Sequence, residues 1–283
     1  MRIVITGASG FIGSELRRTI SNKHEVIHLS RTHKEGFTAT DYSFGSLSEI
    51  FQGADLVIHL ASVRGKANDY SSFIENEVLM DNILKAMLQC GCRRIIFMSS
   101  LAVYSDQAMI PWQEDQRTSP QTFYGLSKLT GEYLCQLYSS KGIEYTIFRC
   151  GIVYGLDHTK RMISVFIDQA SKKETLHLTG KSVAKRDFIY VKEVVNALNW
   201  AIGSNSSINE TFNLGSREAY RNLEVAEMIN NCFGNQGNLE YDDSVPEQVI
   251  NSYMESSKIE RAGYKYRYNI ESALNDIKDG IEK

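Results

Sequence analysis

Arg2-Ile3-Val4-Ile5-Thr6-Gly7-Ala8-Ser9-Gly10-Phe11-Ile12-Gly13 opens the chain and decides its fold. The apolar run at 2–6 reads as a buried strand, and Phe11-Ile12-Gly13-Ser14-Glu15-Leu16 begins a helix. Between them stand glycines at 7, 10 and 13. A tight strand-to-helix turn favours residues without a Cβ. A pyrophosphate must come close to such a backbone, and the helix start offers it N–H groups and the positive end of a dipole. Three glycines can also make a plain turn. Their place after a strand and before a helix marks this one as a dinucleotide loop.

Working outward, apolar bursts alternate with helical patterns. Strands are predicted at 25–29, 55–60, 94–98 and 144–149, with helices at 47–51, 76–89 and 124–138. In the 76–89 segment the apolar residues 78, 79, 83, 84, 87 and 88 share one helical face, and Gly91 ends it. Strand–helix alternation at this spacing predicts an α/β fold, a Rossmann-type doubly wound parallel sheet with helices on both faces. Near-continuous apolar strands fit burial on both sides. Past residue 155 the pattern loosens. A dinucleotide-binding domain is expected over 1–155 plus 187–215, with a smaller substrate lobe from 156–186 plus 216–283. Strands at 187–191 and 211–214 are expected to return to the main sheet.

Composition narrows the function classes. With 31 Lys+Arg against 34 Asp+Glu the net charge is −3, so no bulk positive field attracts nucleic acid. A hydrophobic share of 42% is ordinary for a globular chain. No apolar run approaches the ~18 residues of a membrane span. Cys90, Cys92, Cys135, Cys150 and Cys232 form neither a paired framework nor a zinc spacing. They read as reduced thiols of a cytoplasmic protein, and no metal site is expected.

The second strand ends at Leu29-Ser30-Arg31-Thr32. A carboxylate about 20 residues past the loop would bind the ribose hydroxyls of NAD. Arg31 stands there instead, suited to the 2′-phosphate of NADP, or simply to a solvated surface. The cofactor is read as NAD or NADP, tilted to NADP. Tyr124 and Lys128 fall at i and i+4, one turn apart on one helical face. An ammonium so placed stabilises a tyrosinate and makes the phenol usable as acid or base. Ser100 ends the fourth strand, at the sheet edge where open α/β folds bind ligands. It could orient the reacting oxygen toward Tyr124.

With these residues in order, the chain resembles the extended short-chain dehydrogenase/reductase family, the group of NAD-dependent epimerases and dehydratases that includes nucleotide-sugar 4-epimerases and 4-ketoreductases. The resemblance runs through Gly7–Gly13, His59-Leu60-Ala61-Ser62, Asn76, Ser99–Tyr104, Tyr124–Lys128, Arg186–Val191 and Thr211–Ser216. It implies that Gly7, Gly10, Phe11, Ile12, Gly13, Arg31, Asp41, Tyr42, Leu60, Ala61, Ser62 and Asn76 bind the cofactor, Asp41 and Tyr42 near the adenine. Ser100, Tyr124 and Lys128 would form the catalytic set, Lys128 also holding the nicotinamide ribose. Arg186 would pair with a substrate diphosphate, beside Ser100 as the second substrate contact. Asp187 and His59 are read as structural, and Cys150 as no nucleophile.

The resemblance implies hydride exchange at C4 of a nucleotide-activated hexose, as isomerase or as oxidoreductase. Ser100-Leu101-Ala102 lacks the acid pair of dehydratases, which leaves epimerase and reductase, with Arg31 tilting to the reductase. Two departures stand out. Ile152 occupies a position where relatives carry Asn, and no Arg appears around Val245–Gln248, ahead of Ser257-Lys258. They leave open a reductase of a small non-nucleotide aldehyde or ketone. A non-catalytic NAD(P)-binding sensor is a third reading, opposed by the intact catalytic set. A homodimer is expected through the helices at 76–89 and 124–138. There Gly125, Thr130 and Gly131 would allow close helix approach, or would simply pack on the sheet.

Overall fold

A computed structural model describes residues 1–20, 22–63, 69–156, 161–180, 182–242, 244 and 249–282. The 245–248 stretch, weighed in the sequence reading, lies outside the described residues. The chain begins with β1 (Arg2–Thr6), α1 (Phe11–Thr19), β2 (Glu25–Ser30), β3 (Thr38–Ala39), α2 (Phe44–Ile50), β4 (Leu56–His59), α3 (Tyr70–Cys90), β5 (Arg94–Ser100), α4 (Phe123–Ser139) and β6 (Glu144–Cys150). It continues through β7 (Ile152–Tyr154), α5 (Met162–Ser171), β8 (Leu176–Thr179), β9 (Lys185–Arg186), β10 (Phe188–Tyr190), α6 (Val191–Gly203), β11 (Glu210–Leu214), β12 (Tyr220–Arg221), α7 (Asn222–Cys232), β13 (Leu239–Asp242), α8 (Ser257–Arg261) and α9 (Ile270–Ile281).

Seven strands form the central sheet in the order β11-β6-β5-β4-β1-β2-β3. β1 runs parallel to both β2 and β4, and β4 parallel to β5. The chain winds outward from β1 through β2, then returns to β1's other side with β4. That reversal opens a crevice beyond the carboxyl ends of β1 and β4. The doubly wound α/β fold expected from the alternating pattern is the fold observed. Val4, Val57, Ile95, Phe97 and Ile147 pack on one face with residues of α2, α3 and α4. Their neighbours Ile3, Ile5, Leu56, Ile58, Ile96 and Phe148 point the other way and are equally buried. This is why those strands carry no polar alternation.

Helix α3 starts at Tyr70, ahead of the predicted 76. Asp69 caps it by accepting the Ser72 N–H at 2.8 Å, a signal the apolar periodicity missed. Gly91, at φ 73°, ends it in the left-handed conformation.

By compactness the chain divides into 1–105, 114–149 and 195–212 as one unit, and 106–113, 150–194 and 213–283 as the other. These bounds differ from those read off the sequence, since 106–113 and 187–194 fall with the second unit. One strand expected in the main sheet is elsewhere. Phe188–Tyr190 pairs in parallel with Ile152–Tyr154 in a separate two-stranded sheet, while Glu210–Leu214 does join the central one. β10 is only three residues long, and the backbone of Ile152 donates to the carbonyl of Asp187 at 2.7 Å, which ties its start to β7.

Candidate active site

Gly7 adopts φ +68°, and a Cβ there would lie 2.6 Å from the Ala61 nitrogen. A Cβ on Gly13 would lie 2.4 Å from the Gly7 oxygen. Both positions therefore exclude any side chain, because the turn folds back on itself and on the end of β4. Gly10 donates to the Gly7 carbonyl at 2.9 Å and forms the start of α1. No side chain caps that helix and no acid sits in its first turn, so its positive end is not neutralised from within the protein. Phe11 and Ile12 form that turn, half-buried.

A cavity of about 340 Å³ opens over this turn. Gly7, Ser9 and Gly10 form its floor, Ser30, Arg31 and Thr32 one wall, and Leu60, Ala61 and Ser62 another. Its lining contains no carboxylate among the described residues. Arg31 forms a 3.8 Å ion pair with Glu75, both side chains more than half exposed, a pair of small energetic weight. Tyr42 closes a further side. It is buried at φ 60°, its carbonyl held by the Asn82 amide at 3.0 Å and its N–H by the Thr40 hydroxyl at 3.0 Å. Burial pushes its phenol up, against a hydrogen bond with the Gly7 backbone. The guanidinium of Arg31 lies 6.0 Å from its ring centre. Asp41 stands outside the cavity, its carboxylate accepting the Ser43 N–H at 2.9 Å.

Two polar straps fix the β4 side. Thr6 Oγ1 accepts the Ala61 N–H at 3.2 Å. Asn76 accepts from the Val63 N–H at 2.8 Å and donates to the Val63 carbonyl at 2.7 Å, so one amide holds both backbone groups of one residue. The glycine cradle, the uncapped helix start and the polar walls fit a nicotinamide dinucleotide. Gly7–Gly13 would hold its pyrophosphate and residues 30–32 with Tyr42 its adenosine end.

The reacting groups gather at the carboxyl end of β5. Ser100 ends that strand, its hydroxyl accepting the Ala102 N–H at 3.2 Å. Thr122 caps α4 through the Gly125 N–H at 3.0 Å, which starts the helix one residue before Tyr124. Lys128, 5% exposed, donates to the Met98 carbonyl at 2.9 Å, and its nitrogen lies 5.8 Å from the Tyr124 ring centre. A Cβ on Gly125 would fall 2.2 Å from the Ala102 oxygen, and one on Gly131 2.7 Å from the Phe97 ring. Both glycines thus serve close packing within the chain, the second of the two readings their sequence allowed.

His59 is buried, stacks on Phe97 at 5.4 Å and bonds Thr6 through Nδ1 at 2.7 Å. Burial, then the charge of Lys128, hold its imidazole down at about 3, so it stays neutral. The sequence reading passed over Glu77, a half-buried carboxyl pushed up to about 7 by desolvation despite the attraction of Lys128. It also passed over the ion pair of Glu132 and Arg149, 2.7 Å apart and buried. A charged residue one turn past Lys128 on the helix's buried face was the available signal.

In the second unit, Arg186 stands on β9 directly opposite Tyr220 of the antiparallel β12. Asp187 beside it is fully enclosed. Its carboxylate accepts the Ser216 N–H at 2.6 Å, the Ser216 hydroxyl at 3.1 Å and the Met254 N–H at 3.3 Å. Gly215 makes room for it, since a Cβ there would fall 2.0 Å from its oxygen. Desolvation pushes this carboxyl up to about 6, with the hydrogen bonds opposing. Ile152 is half-buried on β7.

A dinucleotide-binding α/β enzyme is the class these features point to. The family profile described as NAD dependent epimerase/dehydratase matches residues 3–215. A protein of Methanocaldococcus jannaschii, provisionally named a UDP-glucose 4-epimerase, is 31% identical over 99% of this chain and 96% of its own length. A crystal structure of UDP-N-acetylglucosamine 4-epimerase from Bacillus cereus superposes with a TM-score of 0.92 at 33% identity, covering 100% of this chain and 96% of that one. UDP-glucose 4-epimerase of Thermus thermophilus, solved with NAD, shares the fold at a TM-score of 0.84 and 22% identity, covering 100% and 99%. The chain belongs to the NAD dependent epimerase/dehydratase family, an extended short-chain dehydrogenase/reductase enzyme of the nucleotide-sugar 4-epimerase type. Among the described residues no helix is long and apolar enough to cross a membrane.

Proposed function

We propose that this enzyme inverts the C4 hydroxyl of a UDP-activated hexose. The observation that carries the reading is the placing of Lys128, which lies 5.8 Å from the Tyr124 ring centre and bonds the Met98 carbonyl two residues before Ser100, in a fold whose glycine turn floors a cavity of about 340 Å³. The names of its relatives supply the sugar nucleotide. A nicotinamide cofactor supplies the hydride acceptor and donor. Tyr124 takes the C4 hydroxyl proton as the carbon is oxidised and returns it after the ketone has turned its other face. Ser100 holds the same oxygen through both steps, and the Lys128 ammonium favours the tyrosinate. Arg186 holds the diphosphate by charge-assisted hydrogen bonds.

An epimerase regenerates its cofactor each cycle. Incubation with UDP-glucose or UDP-N-acetylglucosamine should give the C4 epimer by NMR without added NADH or NADPH. No epimer from either, with wild-type protein, would sink the reading. Arg31 in the cavity wall favours a second reading, reduction of a 4-keto sugar with NADPH. Stoichiometric NADPH consumption with a 4-keto nucleotide sugar would select it, and turnover only on small aldehydes would select the non-nucleotide reductase.

The enzyme is also proposed to act as a homodimer. Tyr70, Ile74 and Val78 of α3 and Leu126, Tyr133 and Leu137 of α4 are exposed apolar side chains on adjacent helices, a concentration that favours burial against a second copy. Light scattering should give twice the chain mass. Five free cysteines suit a reducing, cytoplasmic setting.

A further inference from the structure

A buried polar network lies one turn along α4 from the residues assigned catalytic roles. Glu132, 1% exposed, sits one turn past Lys128 and two past Tyr124 on α4. Its carboxylate receives the Arg149 fork, Nε at 3.1 Å to both oxygens and a terminal nitrogen at 2.7 Å. It also accepts the hydroxyl of Ser99, the residue before Ser100. The other terminal nitrogen of Arg149 donates to the Tyr104 hydroxyl at 2.6 Å and to the Glu114 carbonyl at 3.0 Å. Tyr104 directly follows the short 3-10 turn Leu101–Val103 that leaves Ser100.

One guanidinium and one carboxylate thus join α4, β5, β6 and the turn after β5. The chemistry chosen is informative. Apolar side chains of similar volume would fill this space with no desolvation cost, and such replacements are often neutral or stabilising. Apolar contacts tolerate sliding and rotation, however, while a bidentate pair accepts one geometry. The same helix is pinned a second time at its start, where Gly125 sits hard against the Ala102 carbonyl. Tyr124 and Lys128 are carried by a helix fixed at both points. With side chains reaching about 5–6 Å from a helix axis, a 20° rotation of α4 would move the Tyr124 phenol by roughly 2 Å. A misplacement of about 1 Å can cost ~10²-fold in rate.

We infer that Glu132 and Arg149 are positioning residues for this enzyme, a clamp that sets the rotation of α4 and so aligns Tyr124 and Lys128 with Ser100. The inference rests on the catalytic roles assigned above. Two replacements test it: Glu132→Gln, which keeps volume and leaves Arg149 uncompensated, and the apolar pair Glu132→Leu with Arg149→Met. Each is measured for turnover, KM, cofactor affinity and melting temperature. Each is also titrated by tyrosinate absorbance against a partner protein carrying Tyr124→Phe, which isolates the Tyr124 phenol without any substrate.

The expected result is a folded paired variant whose cofactor affinity and KM stay within about threefold. Its kcat should fall by roughly 30-fold or more, and its Tyr124 titration should move toward the free value of about 10. A folded variant with kcat within threefold of wild type and an unmoved Tyr124 titration would overturn the inference. So would a fall of kcat, cofactor affinity and melting temperature together with a rise of KM in both variants, which marks a merely structural pair. If the wild type turns over no UDP-hexose, the proposed function fails on its own, and the Tyr124 titration still decides the clamp.

Discussion

Gly7, Gly10 and Gly13 build their binding turn from one short stretch of chain, whereas Arg186 reaches its position through strands far apart in sequence. In the first unit the turn, the helix start and the β4 wall meet because a strand-to-helix connection is local. In the second, Arg186 rests on a two-residue strand paired with residue 220, while Asp187 gathers Ser216 and Met254. The first arrangement is written as a spacing and tolerates no side chain at Gly7 or Gly13. The second has no spacing to read; the buried Asp187 carboxyl and backbone pairing with residues 220–221 and 252 tie its segments together.

The sharpest test of the first region is Tyr124→Phe. It should lower turnover by about 10²–10⁴-fold, the usual weight of a general acid–base group, with cofactor affinity unchanged. Steady-state rates and cofactor titration check both halves. Gly13→Val should come next, lowering cofactor affinity by roughly 100-fold or more, because its Cβ alone would collide with the Gly7 oxygen. Fluorescence titration with the reduced cofactor measures it, and retained affinity would show that the turn is not a pyrophosphate seat.

The second region breaks at Asp187. Its carboxyl is raised from 3.8 to about 6, so its contribution to stability is full below pH 3.8 and is lost as pH rises through 6. Relative to Asp187→Asn, the wild type should lose about 3 kcal/mol or less over that window. Denaturant unfolding of both proteins at pH 4 and pH 7 reads the difference, and a constant gap would free Asp187 of this role. Arg186→Ala should raise KM for the UDP-sugar by about 10–100-fold, the value of a charged hydrogen bond, and leave cofactor affinity alone. A loss of cofactor affinity instead would erase the contrast between the two regions. The smallest effect is expected from Arg31→Ala, roughly tenfold on NADP and little on NAD. Equal losses would show that Arg31 does not read a 2′-phosphate.

Much of this was legible in the chain. The strands read at 2–6, 94–98 and 144–149 announced themselves as apolar runs, and the glycine turn and the Tyr124–Lys128 pair as spacings. Other features were not. The start of α3 at Tyr70 depends on a cap by Asp69, outside the apolar stripe. The departure of 188–190 from the central sheet depends on pairing with 152–154. Gly125 could serve a neighbouring copy or internal packing by its sequence alone, and the contact that constrains it is the Ala102 carbonyl. Glu132 and Arg149 are separated by 17 positions and gave no motif, although together they bury two charges.

By itself the sequence determined the doubly wound fold and the family, and it singled out the glycine turn and the residues proposed to react. Fold and turn follow from local rules: the period of two or 3.6 residues, and the backbone freedom of glycine between a strand and a helix. Only the tertiary structure decided which strands share the central sheet, how Asp187 supports Arg186, and how Glu132 and Arg149 lock α4. These depend on desolvated polar groups that find partners across long loops. A buried carboxylate is costly until its donor arrives, and which donor arrives is settled by packing rather than by spacing.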